Sequence, residues 1–170
     1  MSIGFVSPET SDIAINVEPS NPETLEAVTE AAIEKPGLVL PNLVDKLYDK
    51  FPARIAEDEA THIQTMTFIT QGHNDTVIAR TAPDDDGNRE VSIFAEGHGA
   101  PGITLSARTA EPESCKVRTE FFAHRREYGT PETAIPAVLR SLDRSVAKYE
   151  WRQDASAKVG AAAVQLLKSR

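Results

Sequence analysis

The strongest constraint on this chain is a change of period. Between Ala53 and Arg125 apolar side chains recur at every second position, and Thr, Ile, Val and Phe dominate. That is the repeat of a half-buried β-strand. The pattern marks strands over 61–70, 76–82, 89–96, 103–109 and 115–124, with a short sixth candidate over 53–56. The breaks carry turn chemistry: Gln71-Gly72-His73-Asn74-Asp75, Asp84-Asp85-Asp86-Gly87-Asn88 and Gly97-His98-Gly99-Ala100-Pro101-Gly102. Connections this short leave no room for a crossover helix, so consecutive strands must run antiparallel. One face collects Val91, Ile93, Leu105, Val117 and Phe121; the other collects Ser92, Thr104, Ser106, Arg118 and Glu120. A sheet with one apolar and one polar face packs helices on one side only.

The flanks supply those helices. Asn21 and Pro22 open a helix that lines up Leu25, Val28 and Ala32, and Pro36-Gly37 reads as its end. Leu40, Leu43, Val44, Leu47, Tyr48 and Phe51 repeat at helical spacing, so a second helix is expected from near Pro41 to just before Pro52. Ahead of these lie a strand candidate over 12–17 and a segment, 1–11, read as an arm or edge. After Thr130-Pro131 the positions Ile135, Val138, Leu139, Leu142, Val146 and Tyr149 form a helical stripe, with Pro136 expected to start the regular helix or kink it. The register slips near 151–156, and a second stripe of Val159, Ala163, Leu166 and Leu167 follows. The pattern fits either one long helix with an offset face or two helices broken near Asp154.

The reading is one α+β domain over 1–170: an antiparallel sheet of five to six strands packed on helices, a long C-terminal helix, and a helical extension over 154–170. This order resembles the helix-grip arrangement of START-type lipid-binding proteins, in which a curved sheet wraps a C-terminal helix around a cavity. That resemblance implies a pocket for an apolar small molecule. It is one of topology, and an aromatic content of 6% gives such a pocket little lining.

Charge and composition narrow the function classes. Twenty-six acids against eighteen bases give a net charge of −8. A surface of that sign opposes non-specific nucleic-acid binding and docking on anionic lipid. A single cysteine, Cys115, excludes an intrachain disulfide and a cysteine-based zinc site. The sequence shows neither a secretory signal nor an apolar run of membrane-spanning length, so a cytoplasmic location is expected.

The chemically suggestive groups all have simpler readings. His62, His73, His98 and His124 lack the spacing of a helical metal motif; His73 and His98 fall in expected turns, and solvent-exposed turn histidines are the simpler reading. Glu57-Asp58-Glu59 near His62 could hold a cation or move a proton, but reads as a charged loop. Asp84-Asp85-Asp86-Gly87-Asn88 lacks the bidentate glutamate of a calcium loop, since Ala95 holds that place; it reads as a hairpin tip. The Gly97–Gly102 run precedes no helix, so it makes no phosphate cradle. Cys115 beside Lys116 reads as a half-buried structural thiol. Lys116, Arg118, Arg125 and Arg126 form the one local basic cluster, suited to a phosphate or to an acidic protein. No catalytic residue, cofactor or metal is expected. The function that follows is a non-catalytic interaction protein, an assembly subunit, adaptor or chaperone-like partner, binding another protein or its own copies. Its interface candidates are Trp151, Val159, Ala163, Leu166 and Leu167. A pocket protein of helix-grip type is the alternative.

Overall fold

The computed structural model describes residues 2–6, 12–16, 22–51, 55–70, 73–97, 102–121, 124–127 and 129–169. Its element order is β1 (Ser2–Val6), β2 (Asp12–Asn16), α1 (Pro22–Glu34), α2 (Pro36–Lys50), β3 (Ile55–Glu57), β4 (Gln64–Thr70), β5 (His73–Arg80), β6 (Glu90–Ala95), β7 (Gly102–Arg108), β8 (Cys115–Phe121), β9 (His124–Glu127) and α3 (Pro131–Lys168). Strands β3 to β9 form one antiparallel sheet in sequence order, with every neighbour joined by a direct reversal. The fold is α+β, as the period-two pattern demands.

Among the described residues the sheet has seven strands, one more than the pattern separates. The stretch read as one strand over 115–124 is two: β8 stops at Phe121, and β9 returns alongside it with Phe121 opposite His124. Period two continues into His124, so alternation alone does not reveal the reversal. The segment over 1–11 contains β1, which pairs with β2 as a separate two-stranded sheet.

The apolar face lies where alternation puts it. Val91, Ile93, Leu105 and Val117 are buried, as are Met66, Phe68 and Ile78; the side chain of Phe121 lies outside the described residues. Helix α3 crosses β4 to β8 on this face, and α2 lies beside it over β5 to β7. Leu40, Leu43, Val44, Leu47, Tyr48 and Phe51 are all buried in the same cluster as Ile135, Val138, Leu139, Leu142 and Val146. Leu25 packs at its edge and Val28 and Ala32 within it.

One helix boundary differs from expectation. α1 does end ahead of Pro36-Gly37, at Glu34, but the same two residues form the first turn of α2, which starts five residues before Pro41. Proline is tolerated at a helix start because its missing N–H would be unpaired there anyway. The Gly37 N–H points outward and donates to Pro112 O at 2.9 Å. α3 begins at Pro131, where Thr130-Pro131 opens the helical segment, and Pro136 lies inside it. Pro136 cannot donate to the carbonyl four residues back, and burial of Ala134 and Ile135 around it offsets that loss. The helix then runs unbroken to Lys168, so the one-helix alternative holds. An ion pair between Asp154 and Lys158, 2.8 Å apart at i,i+4, bridges the place where a break was conceivable.

A polar network fastens α2 to the sheet. Tyr48 is 1% exposed, and its hydroxyl proton is shared between Gln64 O at 2.7 Å and Ile78 O at 2.9 Å. The Arg80 guanidinium stacks over the Tyr48 ring at 4.0 Å and donates to Asp45 at 2.7 Å and Gln64 Oε1 at 2.9 Å. Burial pushes the Tyr48 phenol up to about 12, partly offset by Arg80. A raised phenol pKa favours the protonated fold. This contribution is therefore complete below the ordinary value of 10.0 and lost as pH climbs to about 12. Equilibrium unfolding from neutral to strongly alkaline pH should show that loss, and Tyr48→Phe should flatten it while costing about 1 kcal/mol at neutrality. An alkaline slope unchanged in Tyr48→Phe would assign it to other groups.

Candidate interaction surface on the C-terminal helix

Helix α3 has two halves with different surroundings. The first is core: Ser145, 3% exposed, shares a hydrogen bond with buried Thr76 at 3.0 Å. The point of departure from the sheet is clamped by three rings packed edge to face. Phe51 and Phe68 lie 5.7 Å apart by centroid, Phe51 and Tyr149 5.2 Å, and Phe68 and Tyr149 5.9 Å. Beside them Lys50 pairs with Glu150. Mutually perpendicular rings fix one another's orientation and add to the energy of their burial.

Past Glu150 the chain's own cover ends. Every residue from 151 to 169 is exposed except Ala155, which is half-buried. Trp151 is 71% exposed, Val159 70%, Val164 51%, Leu166 71% and Leu167 76%, whereas the core leucines are at 4% or less. At 1.5 Å per residue this projection is about 28 Å long. Trp151, Ala155, Val159, Ala162 and Leu166 line one side of it, with Ala163 and Leu167 on the flank. At about 100° per residue this stripe is centred about 150° around the helix from the buried stripe of Ile135, Val138, Leu139, Leu142 and Val146. The sheet cannot cover both.

The other suggestive groups sit in ordinary surroundings. Lys116 is exposed on β8, and Arg118 Nε lies 3.3 Å from Glu120. Arg125 pairs across the strands with Glu120, and Arg126 follows it on β9; the side chains of both lie outside the described residues. His62 is exposed, with φ 55°, and its Nδ1 is 3.5 Å from Glu57. The Asp58 carboxylate accepts from the N–H groups of Ala60 and Thr61 at 2.9 and 3.0 Å, which makes this a side-chain-closed turn. Those bonds hold Asp58 below its ordinary pKa, and bonds from Gln64 and His62 do the same for Glu57. Asp84 accepts from the N–H groups of Asp86 at 3.0 Å and Asn88 at 2.8 Å, and Gly87 adopts φ 82°: a hairpin tip. His73 belongs to β5, paired with Thr70, and not to a turn; the extra residue accommodated at the Phe68/Ile69 irregularity lengthens the hairpin toward it. His98 lies outside the described residues, and His124 opens β9. Among the described residues, no three His, Cys, Asp or Glu side chains converge as a metal site would need, and no helix is long and apolar enough to cross a membrane.

Cys115 is half-buried, and burial pushes its thiol up to about 11. It lines an open surface depression with Glu111, Pro112, Glu113, Ser114 and Pro131, at the turn between β7 and β8. Iodoacetamide should alkylate Cys115 far more slowly than a model thiol at neutral pH, and at an ordinary rate once the chain is unfolded. Rapid labelling of the folded chain would contradict that environment.

The network of Asp45, Tyr48, Gln64 and Arg80 escapes sequence reading, because side chains that meet across distant elements leave no periodic trace. Comparison with protein-family models, curated proteins and solved structures finds no match.

Proposed function

We propose that the chain is a non-catalytic interaction protein, an assembly subunit, adaptor or chaperone-like partner, that binds through the distal half of α3. The polar outer face of its sheet serves as a second surface. One observation carries this reading: a continuous apolar stripe that includes Trp151, Val159 and Leu166, more than two-thirds exposed, on a helix whose own sheet is already covered. A projection of about 19 residues is only marginally helical alone in water, so a partner must supply the packing that keeps it ordered. Concentrated apolar exposure of this kind marks an interaction site, whereas single exposed leucines do not.

Hydrogen exchange tests the proposal. In the dilute chain, amides over 155–167 should exchange rapidly while α2 and the sheet stay protected. In concentrated solution or native extract the same amides should gain protection. Val159→Asp and Leu166→Asp together should abolish the gain without lowering the melting temperature of the body. Equal protection at every dilution, or a gain unaffected by the aspartates, would overturn the proposal.

A further inference from the structure

Charge is divided unevenly along this chain. Residues 151–170 carry four bases, Arg152, Lys158, Lys168 and Arg170, against one acid, Asp154, a net charge of +3; residues 1–150 carry 14 bases and 25 acids, a net charge of −11. A cationic, apolar-striped helix projects from an anionic body. An anionic bilayer would attract the helix and repel the body. A second copy of this chain offers both things the helix lacks: an apolar stripe of the same length and a body of opposite net charge.

We infer that the distal half of α3 pairs antiparallel with the same segment of a second copy. Ala155, Val159, Ala162 and Leu166 are spaced four, three and four residues apart, the spacing of a two-helix seam. Overlapping the two segments head to tail sets Leu166 of one copy against Ala155 of the other, and Val159 against Ala162. Each layer then joins a large side chain to a small one, which lets the helices approach closely and fills the seam. Parallel pairing would stack Leu166 on Leu166 and Ala155 on Ala155. It would also place two −11 bodies side by side and two basic tips together. Antiparallel pairing separates the bodies and brings the basic end of each helix toward the anionic body of the other copy. This inference rests on the interaction reading above and narrows it to one partner.

Sedimentation velocity of the full chain from low to high micromolar concentration is the first measurement. A two-copy species is expected that weakens with added salt, because the charge term is exposed to screening. Leu166→Asp should raise its dissociation constant by roughly tenfold or more while leaving the melting temperature unchanged. Orientation is read in a Cys115→Ser background by mixing an Ala155→Cys variant with a Leu166→Cys variant under mild oxidation. Antiparallel pairing gives the mixed disulfide in preference to either self-linked product, since each cysteine is out of reach of its own counterpart. Preferential self-linking would overturn the inference in favour of parallel pairing. So would a dimer indifferent to Leu166→Asp, or a monomer that floats with phosphatidylserine vesicles. A monomer at every concentration whose 155–167 amides still gain protection in extract would overturn this inference alone. Absence of that gain as well would remove the function proposal with it.

Discussion

Truncating Leu47 to alanine is expected to lower the stability of this fold by about 2–5 kcal/mol, and Leu43, Leu139 and Leu142 should each behave alike. Leu47 is 1% exposed, Leu139 2%, and Leu43 and Leu142 4%. All four lie in the single cluster where α2 and α3 meet the apolar face of the sheet. The loss combines the transfer energy of the removed carbons with the cavity left behind, and its spread reflects how far neighbours can close in. Leu47 sits one helical position before Tyr48, whose bonds to Gln64 and Ile78 hold α2 at a fixed distance from β4 and β5. Collapse around Leu47 is therefore resisted, and its loss belongs in the upper part of that range. Leu166→Ala is the internal control: at 71% exposure it should change the unfolding free energy of the dilute chain by less than about 0.5 kcal/mol. Urea titrations of the five variants decide the matter. A value under about 0.5 kcal/mol at Leu47 would mean the stripe is not core, and a large loss at Leu166 would mean the projecting helix folds back on its own chain.

That contrast also shows what the sequence reveals. Periodicity reports which face of an element is apolar, so the inward set of Val91, Ile93, Leu105 and Val117 and the stripe from Leu40 to Phe51 are legible without coordinates. The offset between the two stripes of the C-terminal segment is legible too, but not whether Trp151, Val159, Leu166 and Leu167 fold back on their own chain or stand exposed, as they do. Nor is continuity of the helix between those stripes legible. It depends on local support, such as the Asp154–Lys158 pair, that a polar stretch of sequence does not announce. Boundaries fail where a residue has two local meanings. Proline followed by glycine ends helices, but proline also starts them, and Pro36-Gly37 does both: α1 stops just ahead of it, and α2 begins on it, held by Pro112, 75 residues away in sequence. The reversal from β8 into β9 is hidden for a similar reason, since the alternation in sequence runs on to His124 although Phe121 pairs with it across the strands.

Gly37 is where such a distant constraint should be felt most sharply. It is buried in the first turn of α2, against the turn between β7 and β8. A Cβ placed there would stand 2.2 Å from Arg108 O, 2.6 Å from Glu111 O and 2.9 Å from Pro112 Cα. All three are backbone atoms, so no side chain can swing aside. Either the 108–112 turn must move away or α2 must lift from the sheet, and the Gly37 N–H bond to Pro112 O is strained in both cases. Replacing a helical glycine by alanine normally gains about 0.5–1 kcal/mol through lower chain entropy. Overpacking of a close contact costs about 1–3 kcal/mol and sometimes more. Here the clash is with main chain on three sides, so the steric term wins, and Gly37→Ala should lower stability by about 2–3 kcal/mol. Faster exchange should appear at amides on both sides of the contact, in 37–40 and 111–115. Gly160→Ala isolates the opposite term. Nothing lies within 4 Å of a Cβ at that helical position, so the same substitution should raise helicity in the projecting segment. If Gly37→Ala were as stable as the parent chain, the β7–β8 turn would be yielding freely, and the close seat of α2 on the sheet would contribute little to holding the fold together.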